Sequence, residues 1–161
     1  MLKKILISFI ILIYFVSCSS SNRKEENDLE NNIKNPEEIF IVGMQYFDNG
    51  NFISAEEEFA KLQQLFPLSK ESIQSEITSG FISYLLMEYE ESIYKFNKII
   101  KKYPSHKNLD YVYYMIAMCN YEQIAHHELD GTFNEKTLNA FNQVIIRFPE
   151  SKYSKDSMQK I

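Results

Sequence analysis

The sequence predicts an all-α solenoid built from about three helix-turn-helix repeats and the start of a fourth. Three observations carry that prediction. One apolar spacing occurs three times, each time ending one residue before a proline: Ala55, Phe59, Leu62 and Phe66 before Pro67; Ser92, Phe96, Ile99 and Tyr103 before Pro104; Thr137, Phe141, Val144 and Phe148 before Pro149. Intervals of four, three and four residues keep those side chains on one helical face, and the proline then stops the helix. Turn segments fall ahead of the first two such helices, at Asp48-Asn49-Gly50-Asn51-Phe52 and Met87-Glu88-Tyr89-Glu90-Glu91. Finally, 161 residues with 45% hydrophobic and 24% charged content have the composition of one globular domain plus a leader.

Taken in order, Met1 to Lys4 is a short basic start, and Ile5 to Val16 is an apolar run of 12 residues. That run is well short of the roughly 20 residues needed to span a bilayer, so residues 1–17 read as an export signal. The junction Phe15-Val16-Ser17-Cys18-Ser19 decides its type, because ordinary cleavage wants small residues at the last and third-last leader positions and Phe15 is large. Apolar, small, then cysteine resembles the lipobox of bacterial lipoproteins, with Phe15 where Leu is commoner. That resemblance implies a diacylglycerol thioether on Cys18, which becomes the acylated mature N-terminus, and multiple acyl chains suffice for stable anchoring. By the same resemblance to bacterial lipoproteins, Ser19 in place of Asp after the cysteine implies the outer rather than the inner membrane.

Residues 18–35 follow as the lipidated cysteine and a tether. Ser19 to Asn35 has almost no apolar content, so it cannot bury enough surface to offset ordering. As a coil its 17 residues span about 20 to 25 Å, and at most about 60 Å when stretched.

From residue 36 to 161 the pattern is helical. Asn35 as cap, Pro36 at the first helical position and Glu38 make a start signal. Ile39, Val42-Gly43, Tyr46, Ala55, Phe59 and Pro67 then fall at the spacings of the tetratricopeptide repeat, which this segment resembles, with Ile39 and Val42 replacing the usual Trp and Leu. Gly43 and Ala55 would let the paired helices approach closely, while Tyr46 and Phe59 would fill the gap between them. The repeats occupy about 36–67, 69–104 and 109–149, with a partial one at 151–161, and the resemblance implies a right-handed superhelix. Repeat three departs, since Gly131 and its neighbours stretch its turn and Thr132 with Glu135 would cap the helix that follows. Residues 151–161 read as the opening of another first helix, so the chain looks interrupted before a solenoid cap.

By the repeat's geometry the second helices face outward and the first helices line a concave face. That lining is Phe40, Met44 and Phe47 in repeat one, Ile77, Phe81 and Tyr84 in repeat two, and Tyr114, Met118 and Tyr121 in repeat three, a groove suited to varied apolar peptides. The plainer reading is that these residues only pack successive repeats together. A formal charge of −5, and about −7 once Lys3 and Lys4 leave with the leader, argues against nucleic acid and bare anionic membrane as partners. Cys18 and Cys119 are too few for a disulfide framework, and Cys119 in an apolar helix reads as a small buried hydrophobe. Neighbouring His126 and His127 diverge by about 100° on a helix, too far to share a metal readily, and His106 reads as structural. Glu56-Glu57-Glu58 suits a helix N-terminus, and four scattered glycines make no phosphate loop. The expectation is a binding protein, not an enzyme, with no catalytic residue, metal or cofactor.

The segment Pro104-Ser105-His106-Lys107-Asn108-Leu109-Asp110-Tyr111-Val112-Tyr113-Tyr114-Met115 is similar to the joint between repeats two and three in the BamD family of outer-membrane assembly lipoproteins. The likeness runs from the lipobox through Pro149. It implies that the N-terminal repeats help recognise the C-terminal β-signal of unfolded outer-membrane proteins, and that C-terminal repeats dock the barrel insertase BamA beside other lipoproteins of the same complex. Phe66 matches an aromatic of the family's substrate region, with Phe where Tyr is common. BamD proteins carry about five repeats, whereas this chain stops as the fourth begins, which puts docking to BamA in question. Two other readings stand beside this one: a periplasmic tetratricopeptide scaffold of the Tol or cell-division type, and a lipoprotein binding one fixed protein partner.

Overall fold

The computed structural model describes residues 35–124 and 131–161. Among them are seven helices and no strand: α1 Pro36–Asp48, α2 Phe52–Leu65, α3 Lys70–Leu85, α4 Tyr89–Lys102, α5 Leu109–Ile124, α6 Gly131–Arg147 and α7 Lys152–Lys160. Residues Pro36–Ile161 form one compact unit, an all-helical stack of the tetratricopeptide kind. Cys18, the tether, the stretched turn of repeat three and His126-His127 lie outside the described residues.

The local chemistry repeats along with the spacing. Side-chain oxygens cap three helix starts: Asn51 accepts from the Ser54 N–H at 3.4 Å, Ser69 from Ser72 at 3.0 Å and Ser151 from Tyr153 at 3.2 Å. The second helices all end alike. The N–H groups of Phe66, Tyr103 and Phe148 donate to the carbonyls of Leu62, Ile99 and Val144 at 2.8, 2.8 and 2.9 Å, and a proline follows each.

Packing within a repeat depends on one small residue. A Cβ on Gly80 would stand 2.7 Å from the Phe96 ring, and one on Gly43 would overlap Phe59 in the same way. Phe59 and Phe96 are fully buried, so each ring fills the space its glycine leaves. Tyr46 shares that role less fully than expected: it lies one turn beyond Gly43, near the end of α1, and is 38% exposed.

Two further expectations need correcting. Positive φ falls at Gly50 (73°) and Met87 (61°), so the turn equivalent to 48–52 is Leu85-Leu86-Met87-Glu88-Tyr89, two residues earlier than the spacing suggested. Glu90 and Glu91 belong to the first turn of α4, where acidic charge suits the helix dipole. Helix α6 already runs at Gly131, so Thr132 lies inside it rather than capping it.

First helices α1, α3, α5 and α7 pack successively side by side, and each second helix packs against the first helices of its own and the next repeat. Among the described residues the second helices do not pack backbone to backbone, and α2 meets α4 through a side-chain bridge, Glu56 to Lys95 at 2.9 Å. A continuous inner layer and a splayed outer one is the geometry of a curved stack. The core lies in two clusters, one of Ala55, Phe59 and Ile82 and a larger one of Ile77, Phe96, Ile99, Leu109, Val112 and Met115.

Candidate functional site

A cleft of about 490 Å³ opens on the inner layer. Residues one turn apart on each helix build it: Met44 and Phe47 on α1, Gln74, Ile77, Thr78 and Phe81 on α3, Tyr111 on α5 and Tyr153 on α7. Lys107, Asn108, Asp110 and Lys152 complete the lining. The Phe47 and Phe81 rings are 6.2 Å apart, Phe81 stacks on Tyr84 at 6.0 Å, and Tyr111 meets Tyr153 at 5.5 Å, so aromatic walls stand on both sides.

Polar groups in the cleft are partly committed. The Asn108 amide donates to Gln74 Oε1 at 3.3 Å, which crosses from the α5 start to α3. Asp110 accepts from its neighbour's N–H at 2.8 Å and from the Ser151 hydroxyl at 2.6 Å, tying the starts of α5 and α7 together. Lys152 lies over the Tyr153 ring at 4.9 Å, and among the described residues neither Lys107 nor Lys152 has an ion-pair partner. The result is a cleft of mixed lining, with aromatic walls beside two lysines and two amides, able to hold an extended peptide that carries both large apolar side chains and polar groups.

Of the ten groove residues expected from the sequence, the cleft gathers Met44, Phe47, Ile77 and Phe81. Ile77 is only 2% exposed and belongs to the core, so it is floor rather than contact surface. Phe40 leans on Phe59 at 6.0 Å, and Met118 packs against the α3–α5 core. Tyr84 extends the Phe81 row and donates to Glu122 at 3.2 Å; burial, then the Glu122 charge, pushes its phenol up to about 12.

Tyr114 is wedged between Phe141 at 6.3 Å and Tyr153 at 5.0 Å and donates to Asp156 at 2.6 Å, so α7 covers it. Tyr121 is 40% exposed beside Phe141, with Lys160 over its ring. Phe66 ends α2 and is not among the cleft residues. Sequence reasoning missed Tyr111, Tyr153, Gln74, Asn108 and the two lysines. The signal for Tyr111 and Gln74 was present, since each lies on an expected stripe one turn nearer the helix N-terminus.

Elsewhere the chemistry is structural. Cys119 is fully buried, its thiol pushed up to about 11 by burial, and it donates to Ser92 at 3.3 Å, which suits packing rather than attack. His106 accepts the Asn108 N–H at 3.3 Å and burial lowers its pKa, which suits a structural place in the joining loop. Among the described residues no group of three or more His, Cys, Asp or Glu side chains could hold a metal ion, and no helix is long and apolar enough to cross a membrane.

Comparison with known proteins places this architecture. Residues 32–161 match the profile of the YfiO family, described as an outer membrane lipoprotein. The outer membrane protein assembly factor BamD of Caulobacter vibrioides is 30% identical over 123 residues, covering 76% of this chain and 40% of that protein. The protein of the same name from Rickettsia prowazekii is 29% identical over 158 residues, covering 97% of this chain and 61% of its own length. That from Neisseria gonorrhoeae is 21% identical over 170 residues, covering 99% and 64%. The chain thus spans between 40% and 64% of the length of these relatives. With the family profile matching 32–161, most of its length, the chain belongs to the YfiO family of outer membrane lipoproteins.

Proposed function

We propose that this protein is an outer-membrane assembly factor that holds segments of unfolded β-barrel proteins in its inner cleft and passes them to the BamA insertase, within a complex containing other lipoproteins. The reading takes residues 1–17 as a lipoprotein signal, 18–35 as lipidated Cys18 and tether, and 36–161 as the binding domain. One observation carries it: the aromatic row Phe47, Phe81, Tyr84 beside two unpaired lysines, in a chain whose relatives are named assembly factors. Aromatic burial supplies binding energy without demanding one client sequence, while the lysines favour a segment carrying negative charge. No covalent step is required, so the chain acts by binding and release.

The test uses a peptide from the C-terminus of an outer-membrane barrel protein. Phe81→Glu places a charge against Phe47 and should weaken capture by about 10- to 30-fold, the scale of losing an aromatic anchor. A Phe81→Glu or Tyr84→Glu protein that folds yet captures the peptide normally overturns the cleft as the client site. Crosslinking in native membranes identifies the partner, and mass spectrometry of the N-terminal peptide reads the acyl groups on Cys18.

A further inference from the structure

A larger groove, of about 870 Å³, lies on the outer layer between α2 and α4. Ile53, Glu56, Glu57 and Ala60 line it along one stripe of α2, at the spacing that makes a groove run parallel to a helix axis. The last turn of α3 supplies a floor through Ile82, and Leu86, which caps that helix, stands at the edge. Two of these apolar side chains face solvent: Ile53 is 77% exposed and Leu86 49%. Splaying of the second helices creates the gap, but it gives no reason for isoleucine and leucine rather than polar residues at its edges.

The charge at this groove has one sign to spare. Glu56 is already matched, by Lys95 at 2.9 Å. Glu57 and Glu88 also line the groove, and among the described residues neither has an ion-pair partner. The dipole of α4 accounts for the acidic first turn at Glu90 and Glu91, yet it does not explain Glu57 in the second turn of α2 or the apolar residues beside it. An apolar trough parallel to a helix, flanked by free carboxylates, matches an amphipathic helix with a basic flank. A second copy of this chain fits poorly, because the protein carries a net charge of −5 and would repel itself at an acidic face.

We propose that the α2–α4 groove docks a basic amphipathic helix of a different protein, separately from whatever the inner cleft binds. The apolar stripe of that helix seats against Ile53 and Leu86, and its lysines or arginines pair with Glu57 and Glu88. This site does not rest on the client reading, since it shares no lining residue with the inner cleft.

Fluorescence anisotropy with the purified protein tests it, using a labelled model helix of about four turns with a leucine stripe and lysines elsewhere, and a matched helix with glutamates for the lysines. The leucine-lysine helix is expected to bind about tenfold or more tightly than the leucine-glutamate helix, with affinity falling as salt rises. Glu57→Lys with Glu88→Lys should reverse that preference, Ile53→Ser should weaken both, and Phe81→Glu in the inner cleft should change neither. All three sites of the outer variants are solvent-facing, and circular dichroism checks that the helices persist. Equal binding of the two helices, no binding of either, or binding indifferent to the groove variants overturns the proposal. So does concentration-dependent dimerisation that Ile53→Ser abolishes, which would assign the groove to a second copy.

Discussion

Met87 shows how one residue can carry a cost that its neighbours in the repeat pattern avoid. Its φ of 61° lies in the left-handed region, where an L side chain crowds the backbone, while the equivalent turn of repeat one uses Gly50 at 73°. Met87 is 73% exposed, so its side chain gains little packing in return. Met87→Gly should therefore stabilise the protein by about 1 kcal/mol, read as a higher urea midpoint at unchanged slope. Tyr84 gives a second prediction at this scale. Its folded pKa is raised from 10.0 to about 12, first by burial and then by Glu122, so the folded state holds its proton more tightly than the unfolded chain. The stabilisation is fully present below pH 10 and is lost progressively as pH rises from 10 to about 12. Tyr111 and Tyr114 are raised in the same direction, also mainly by burial. Urea titrations between pH 9 and 12 should show a falling midpoint, and Tyr84→Phe should flatten part of that fall.

At the scale of elements, α3 is where sequence and structure differ most in character. Its Ser72, Ser75, Ser79 and Ser83 are all buried, and an apolar-pattern reading has no means of assigning them inward. Two of them reach α2: Ser79 donates to Glu56 at 2.8 Å, and Ser75 accepts from Gln63 at 3.3 Å while its own hydroxyl donates to the Ser72 carbonyl within α3 at 2.8 Å. Glu76, with its side chain 7% exposed, accepts from Lys102 at 2.6 Å and from the Tyr103 hydroxyl at 2.8 Å. Which donors meet α3 depends on how α2 and α4 flank it, and spacing within α3 does not encode that. The phenylalanines of α2 and α4 were legible because a large ring, a small residue opposite it and a closing proline recur at fixed intervals. Removing one donor tests the buried network. Lys102→Met leaves Glu76 with the tyrosine alone and should cost about 2 kcal/mol, discounted from a fully buried pair because Lys102 is 40% exposed. Adding Glu76→Gln should restore most of the loss, and a double-mutant cycle by urea denaturation measures the coupling.

At the scale of the whole molecule, each helix meets only its near neighbours in the stack, so damage at one end should stay there. The inner cleft makes that locality functional, because one of its walls is Tyr153 on α7, the last helix. The lining from α1 and α3 was legible as an aromatic and methionine stripe. Tyr153 was not, because its place depends on how α7 lies against α5. Two hydrogen bonds fix that placement, Ser151 to Asp110 and Tyr114 to Asp156, both 2.6 Å. Ser151→Ala combined with Asp156→Asn removes the first, weakens the second to a neutral bond and deletes the α7 cap from Tyr153 N–H. Amide exchange in residues 152–160 should then accelerate about tenfold or more, while α1 to α4 keep their protection, since opening of a terminal repeat need not propagate. If the cleft binds client peptide as proposed, affinity should fall in step although Phe47 and Phe81 are untouched. Unchanged exchange in α7 would mean that packing of Tyr153 on Tyr111 and Tyr114 holds the helix without those bonds, whereas faster exchange across α1 to α4 would mean that the stack unfolds as a single cooperative unit.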